Sequence, residues 1–351
     1  MIPRLLSILL ALSVLAACSP TDDDSGRVDD SITTSTDAPV EPLEPVELMY
    51  RYLPGETLTY DLSVNQDIAF NADGDADGFG DASLPIDADL VTESEGQTTY
   101  TVAESAPADA TTLGIVARFP TTRVAGTVNG ETVDNLEEGG VEADLARIDA
   151  VDVSVTVNSA GRVTDDGSEA AGVLGASLAA LTGLTNDLFA TPVGPVLARD
   201  RAVTVGDEWE TMSTLAGQSG PVDVTSASQV VDVIDGLFII ETTTVTDAYT
   251  VDFSREFREL SRVFAEEEEG GELTPEVLDE IDSIEFVITV EEATTVEVAE
   301  FDPDRGVVRS ATVTTGMRLA MVFRSPNENG QIVGFDISLD IAQTAIFDLV
   351  D

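Results

Sequence analysis

The sequence predicts a mainly β protein built on large, curved antiparallel sheet, in two related halves with two to three inserted helices. Period-two alternation of apolar and polar residues recurs from Thr57 to Ile346, in runs dominated by Thr and Val. Those side chains suit a half-buried pleated surface. Turn signals at Asn129-Gly130, Ser159-Ala160-Gly161, Asp235-Gly236 and Asp304-Arg305-Gly306 separate the runs. Helical spacing is confined to three short stretches.

Residues 1–17 read as a signal peptide. Arg4 gives a positive start, Leu5–Leu15 is apolar apart from Ser7 and Ser13, and Ala16-Ala17 precede Cys18. The apolar run falls short of the roughly 20 residues a membrane-spanning helix needs. Leu15-Ala16-Ala17-Cys18 resembles the lipobox of bacterial lipoproteins. That resemblance implies diacylation of Cys18, an extracytoplasmic location and a lipid anchor, palmitate among its acyl chains, that holds the protein to the membrane without spanning it. Ser19–Pro45 carries eight acids and one arginine and almost no large apolar residue. With Cys18 it forms a disordered acidic tether, 18–45, with a coil dimension of roughly 30 Å.

The folded part is expected from residue 46, as one half over 46–200 and another over 201–351. Leu48–Tyr52 is strand-like, and Pro54-Gly55 turns the chain into a strand over Thr57–Val64. Further strands are expected at Thr98–Val102, Leu113–Phe119, Val151–Val157, Val222–Val233, Leu237–Thr246, Phe286–Val298, Val307–Val322 and Ile332–Ile346. Ser168–Phe189 has one apolar helical face loosened by three glycines. Ser254–Glu269 carries an apolar stripe of Phe257, Leu260, Val263 and Phe264, with Ser254 as expected cap and Gly270-Gly271 as stop. Thr274-Pro275 opens a third helix, threonine capping and proline in first position. Two pairs of motifs suggest the halves. Gly55-Glu56-Thr57 matches Gly206-Asp207-Glu208, and the turn before Val163 matches the turn before Val307.

Composition restricts the chemistry. The chain holds 67 acids against 16 basic residues, all arginine, for a net charge of -51, with no lysine and no histidine. A Ser-His-Asp triad, a His-ligated zinc, a Ser-Lys dyad and a Walker A lysine are therefore ruled out. Gly175-Ala176-Ser177 has no base to activate its serine. A glycan hydrolase would need two acids facing one another, and nothing selects such a pair, so no catalytic residue is assigned and the chain reads as non-enzymatic. A surface this acidic disfavours nucleic acid and favours divalent cations. Cys18 is the only cysteine, so the fold relies on its own core rather than on disulfides.

One motif suggests a ligand. Asp73, Asp75 and Asp77 alternate ahead of Gly78, the Phe79 carbonyl and Asp81, in the spacing of a calcium loop. It resembles the loops of thrombospondin type 3 repeats and EF-hands, but Leu84 stands where an EF-hand has its bidentate glutamate. That departure implies weak, extracellular-class calcium affinity. Trp209, the only tryptophan, is expected to pack.

Tyr52-Leu53-Pro54-Gly55-Glu56 running on to Tyr60, Val205-Gly206-Asp207-Glu208-Trp209 and Phe301-Asp302-Pro303-Asp304-Arg305-Gly306 together resemble a family of bacterial envelope lipoproteins with no assigned activity. The long antiparallel meander is also similar in architecture to LolA- and LppX-type lipid carriers, a likeness that implies an acyl chain held in a curved sheet. The expectation is a membrane-tethered protein sheltering a lipid or apolar ligand, with Ser168–Phe189 as a lid. The alternative is a structural envelope protein binding divalent cations or a cell-wall partner.

Overall fold

A computed structural model describes residues 44–75, 85–104, 110–134, 151–165, 194–199, 201–217, 220–255, 257–259, 261–262, 274–326 and 332–350. Fifteen strands are described: β1 Val46–Glu47, β2 Thr57–Asp75, β3 Ile86–Val102, β4 Ala110–Val128, β5 Glu131–Asp134, β6 Val151–Asn158, β7 Val163–Asp165, β8 Ala202–Val203, β9 Glu208–Gly217, β10 Gly220–Ile234, β11 Leu237–Thr246, β12 Tyr249–Asp252, β13 Glu285–Asp302, β14 Val307–Pro326 and β15 Ile332–Val350. Thirteen of them form one antiparallel sheet ordered β7-β6-β4-β3-β2-β15-β14-β13-β11-β10-β9, with β5 on β4 and β12 on β13. The first and last long strands, β2 and β15, are neighbours and pair from Asp75↔Gly334 to Thr59↔Val350. The predicted halves therefore share one sheet and meet along that seam.

Strand length is the main departure from expectation. β2, β3, β4, β13, β14 and β15 each run 17 to 20 residues; the expected runs cover most of β13, β14 and β15 but less than half of β2, β3 and β4. The extensions admit polar residues to the inward face among apolar ones such as Ile68, Phe70 and Leu90. In β2 the alternation continues through Gln66 and Ala72 on the buried side and Asp67, Asn71 and Asp73 on the exposed side.

The repeat holds at the level of individual hydrogen bonds. Before β2, Gly55 N–H donates to Val102 O, Val102 N–H to Glu56 O, and Leu53 N–H to the Glu56 carboxylate. Before β9, Gly206 N–H donates to Val230 O, Val230 N–H to Asp207 O, and Thr204 N–H to the Asp207 carboxylate. Likewise Asn158 Oδ1 accepts from the N–H groups of Ala160 and Arg162 in the β6–β7 turn. In the β13–β14 turn Asp302 Oδ1 accepts from Asp304 and Arg305.

Leu48–Tyr52 is not a strand of the sheet. Its N–H groups go to those two turns, Tyr50 to Ser159 O (2.8 Å) and Arg51 to Gly306 O (2.9 Å). A second segment, 194–198, lies beside it: Tyr50 Oη donates to Pro195 O, and Leu197 N–H to Ala160 O. This second segment also stitches the two edges of the sheet together, because Trp209 Nε1 on β9 donates to Val196 O (2.8 Å). Arg162, just before β7, donates to Met212 O on β9. The sheet is thus curled, with its end strands drawn together around these segments.

Two hydrophobic clusters fill the inner face. The first joins Leu48, Tyr50 and Leu197 to inward residues of strands from β6 round to β10. The second is built on β2, β3, β13, β14 and β15 and is covered by two short helices. Helix α1 is described at 254–255, 257–259 and 261–262, and α2 spans Pro275–Asp282. Phe257 of α1 packs on Phe286 and Phe323, and Arg262 pairs with Asp282 of α2.

The α2 cap is as predicted, with Thr274 Oγ1 accepting from Val277 N–H. For α1 the cap is Asp252 instead, whose carboxylate accepts from Ser254 N–H. The Ser254 hydroxyl accepts from Phe286 N–H, tying the helix to the start of β13. The expected helix 168–189 and the continuation of α1 beyond 262 lie outside the described residues.

Candidate functional site

Between the two apolar clusters the inner face of the sheet turns polar. Following the register across neighbouring strands, one row reads Thr92, Gln66, Gln343, Thr315, Thr295, Thr244 and Ser226. The next row reads Ser94, Val64, Ala345, Val313, Glu297, Thr242 and Ser228. Residues directly opposite in an antiparallel sheet share a face, so these side chains form a belt around the interior.

On the β10–β14 side the belt satisfies itself through hydroxyl pairs: Ser226 with Thr244 (2.8 Å), Ser228 with Thr242 (2.9 Å), and Thr315 donating to Thr295 (3.4 Å). Three members of the belt, one of them on that same side, are left out of such pairs. Thr92 Oγ1, Gln343 Nε2 and Glu297 Oε1 are shielded from solvent and have no hydrogen-bond partner among the described residues. Thr92 is 2% and Gln343 3% exposed. A polar atom left this way costs about 1–3 kcal/mol.

Glu297 has one described hydrogen bond, from the backbone N–H of Gly194. Burial pushes its carboxyl up to about 7 from the usual 4.5, against the lowering effect of that N–H. The nearby Tyr50 phenol is itself raised well above its ordinary value, by burial first and then by neighbouring Tyr52 and Glu297.

The residues singled out from sequence fall elsewhere. Cys18 lies outside the described residues, as do Asp77, Phe79 and Asp81. Asp73 and Asp75 stand in β2 rather than in a loop, opposite Asp336 and Gly334. Asp73 Oδ1 accepts from Gly74 N–H, and Asp336 is paired with Arg324. Among the described residues no three Asp, Glu, His or Cys side chains are grouped to hold a metal ion. Trp209 packs against the first cluster, as expected.

An open acidic depression near the β10–β11 and β13–β14 turns is lined by Asp235, Glu300, Asp302, Asp304 and Asp348 with Arg309. Asp302 is already engaged there. Burial alone would raise its carboxyl, but the Arg305 N–H, the Arg309 guanidinium and the Asp304 N–H hold it below the usual value.

Gln66, Thr92 and Gln343 were legible in principle, since each falls in the inward phase of its strand. Glu297 was not. Phe286, Ile288 and Val290 face inward at even positions, and a bulge between Val290 and Glu292 moves the inward phase to odd positions.

No protein-family model and no curated protein matches the chain. Among solved structures, the COG4313 outer membrane channel from Pseudomonas putida F1 is similar at 8% identity and a TM-score of 0.19, covering 90% of this chain and 100% of that one. OccK5 (OpdH) of Pseudomonas aeruginosa is similar at 5% identity and a TM-score of 0.18, covering 84% and 98%. Overlaps this slight define neither fold nor activity here. The exposed positions of β2 are Asp61, Ser63, Asn65, Asp67, Ala69, Asn71 and Asp73, the reverse of the apolar outer band of a membrane barrel. Fold and site together define a curled antiparallel sheet wrapped around an interior with a polar belt.

Proposed function

We propose that the protein is a non-enzymatic, extracytoplasmic lipoprotein, tethered through Cys18, whose curled sheet receives an apolar or amphiphilic ligand. The observation that carries this reading is the trio of unpartnered buried atoms, Thr92 Oγ1, Gln343 Nε2 and Glu297 Oε1, set between two apolar clusters. A core evolved only for stability would replace such groups with apolar ones or pair them. A ligand with an apolar body and a polar end would complete both parts of the interior. The leader and acidic tether support the location, since they would hold the folded part near the membrane from which such a ligand comes.

One experiment tests anchor and ligand together. The mature lipoprotein is purified in mild detergent and extracted with organic solvent, and both extract and protein are measured by mass spectrometry. The expected result is a stoichiometric non-covalent lipid in the extract and a diacylglyceryl mass increment on Cys18. An extract without lipid, from a protein whose melting temperature rises in millimolar calcium, would replace this reading with a structural, cation-binding envelope protein.

A further inference from the structure

Building on that interior-ligand reading, we infer that the ligand's polar end is uncharged and hydroxylated, as in a neutral glyceride, and that Thr92 and Gln343 hold it. Gln343 Nε2 is a donor lacking an acceptor, and the Thr92 hydroxyl can donate or accept. A ligand hydroxyl supplies both complements. The two residues flank Gln66 in one row, on β15, β2 and β3. Their backbones are therefore about 10 Å apart, a gap that a glycerol headgroup with two free hydroxyls spans with the reach of the side chains.

Charge excludes anionic headgroups, and an ammonium has no lone pair to accept from Gln343 Nε2. The ionisable side chain in the two belt rows is Glu297, three strands from Gln66, and neither row holds an arginine. Arg258, Arg262, Arg309 and Arg324, the described arginines that are not fully exposed, bind Ile284 O, Asp282, Asp302 and Asp336 respectively. A carboxylate or phosphate would be buried there without a countercharge, which costs several kcal/mol per ion.

The test is photo-crosslinking of the mature lipoprotein in mild detergent, using diazirine probes of equal chain length: a monoacylglycerol, a fatty acid and an alkylamine. The glyceride is expected to label peptides of β2, β3 and β15, with the acid and amine near background. Thr92→Val and Gln343→Leu should each lower glyceride labelling about tenfold, the equivalent of about 1.4 kcal/mol. Thr92→Val is nearly isosteric, so it serves if the second variant folds poorly. Labelling by the acid equal to the glyceride, a stronger signal from the amine, or unchanged labelling in folded variants would overturn the assignment of headgroup and residues. Absence of labelling by every probe would overturn the interior-ligand reading itself.

Discussion

Glu297 places a carboxyl where ionisation is costly, and this gives the protein a defined pH response. Its folded-state value of about 7 lies above the ordinary 4.5, so the native state holds this proton more tightly than the unfolded chain. The stability it confers is complete below the ordinary value and is lost as pH rises through the folded one. Glu297→Gln removes the titration and keeps the shape. The variant should gain on the wild type as pH rises across that window, by about 1–3 kcal/mol at its upper end. Denaturant melts at several pH values check this, and parallel stability curves would refute it. Asp302 offers a second residue-scale case, because Asn158 does the same work in the other half. Asp302→Asn should therefore keep the turn and lose mainly the bond to Arg309, whereas Asp302→Ala leaves two turn N–H groups unmet and should cost about 1–2 kcal/mol more.

At the scale of elements, the segment around Tyr50 is where sequence and structure differ most usefully. Leu48–Tyr52 alternates like a strand, yet its partners are two turns roughly a hundred residues and more away. Those turns need glycine at Gly161 (φ 83°) and Gly306 (φ 71°). A Cβ on Gly161 would also strike the Tyr50 ring, and one on Gly306 would come within 2.7 Å of the Arg51 backbone. Either glycine changed to alanine should lower the melting temperature by more than a left-handed alanine alone, a cost of about 1 kcal/mol. The same change at Gly55, which has φ 76° but open space around it, measures that backbone cost by itself. Equal losses at all three positions would mean that the Tyr50 segment is not held as described. Turns, the α2 cap and most strand centres were legible because local chemistry determines them. The extensions of β2 and β3 were not, because polar belt residues such as Gln66 and Thr92 interrupt the apolar pattern where the sheet continues. The belt's role escaped the sequence for a related reason: an inward glutamine or glutamate reads as a surface residue until pairing gives its row, and for Glu297 the bulge had first to reverse the phase.

For the whole molecule, two properties combine in a single measurement. The β2–β15 seam runs for 17 paired positions, and the first cluster draws on both halves, so neither half has a core of its own. Unfolding should therefore be one cooperative transition rather than two. Opposing that cooperativity is a net charge of -51, with carboxylates such as Asp61, Asp67, Asp89, Glu93 and Asp340 spread over the exposed faces of neighbouring strands. At about 0.1 M salt the Debye length is about 10 Å, twice the strand spacing, and at about 1 M it falls to about 3 Å. Repulsion between neighbouring strands is thus felt in the first condition and largely screened in the second. Calorimetry should show one endotherm whose midpoint climbs by several degrees across that range, with chloride and sulfate salts compared at equal ionic strength to separate screening from salting-out. Two endotherms would divide the sheet at the seam. A single midpoint indifferent to salt would mean that the surface charge is already balanced locally, by pairs such as Arg318–Asp340 and Arg324–Asp336, and that the strand faces repel one another far less than their composition implies.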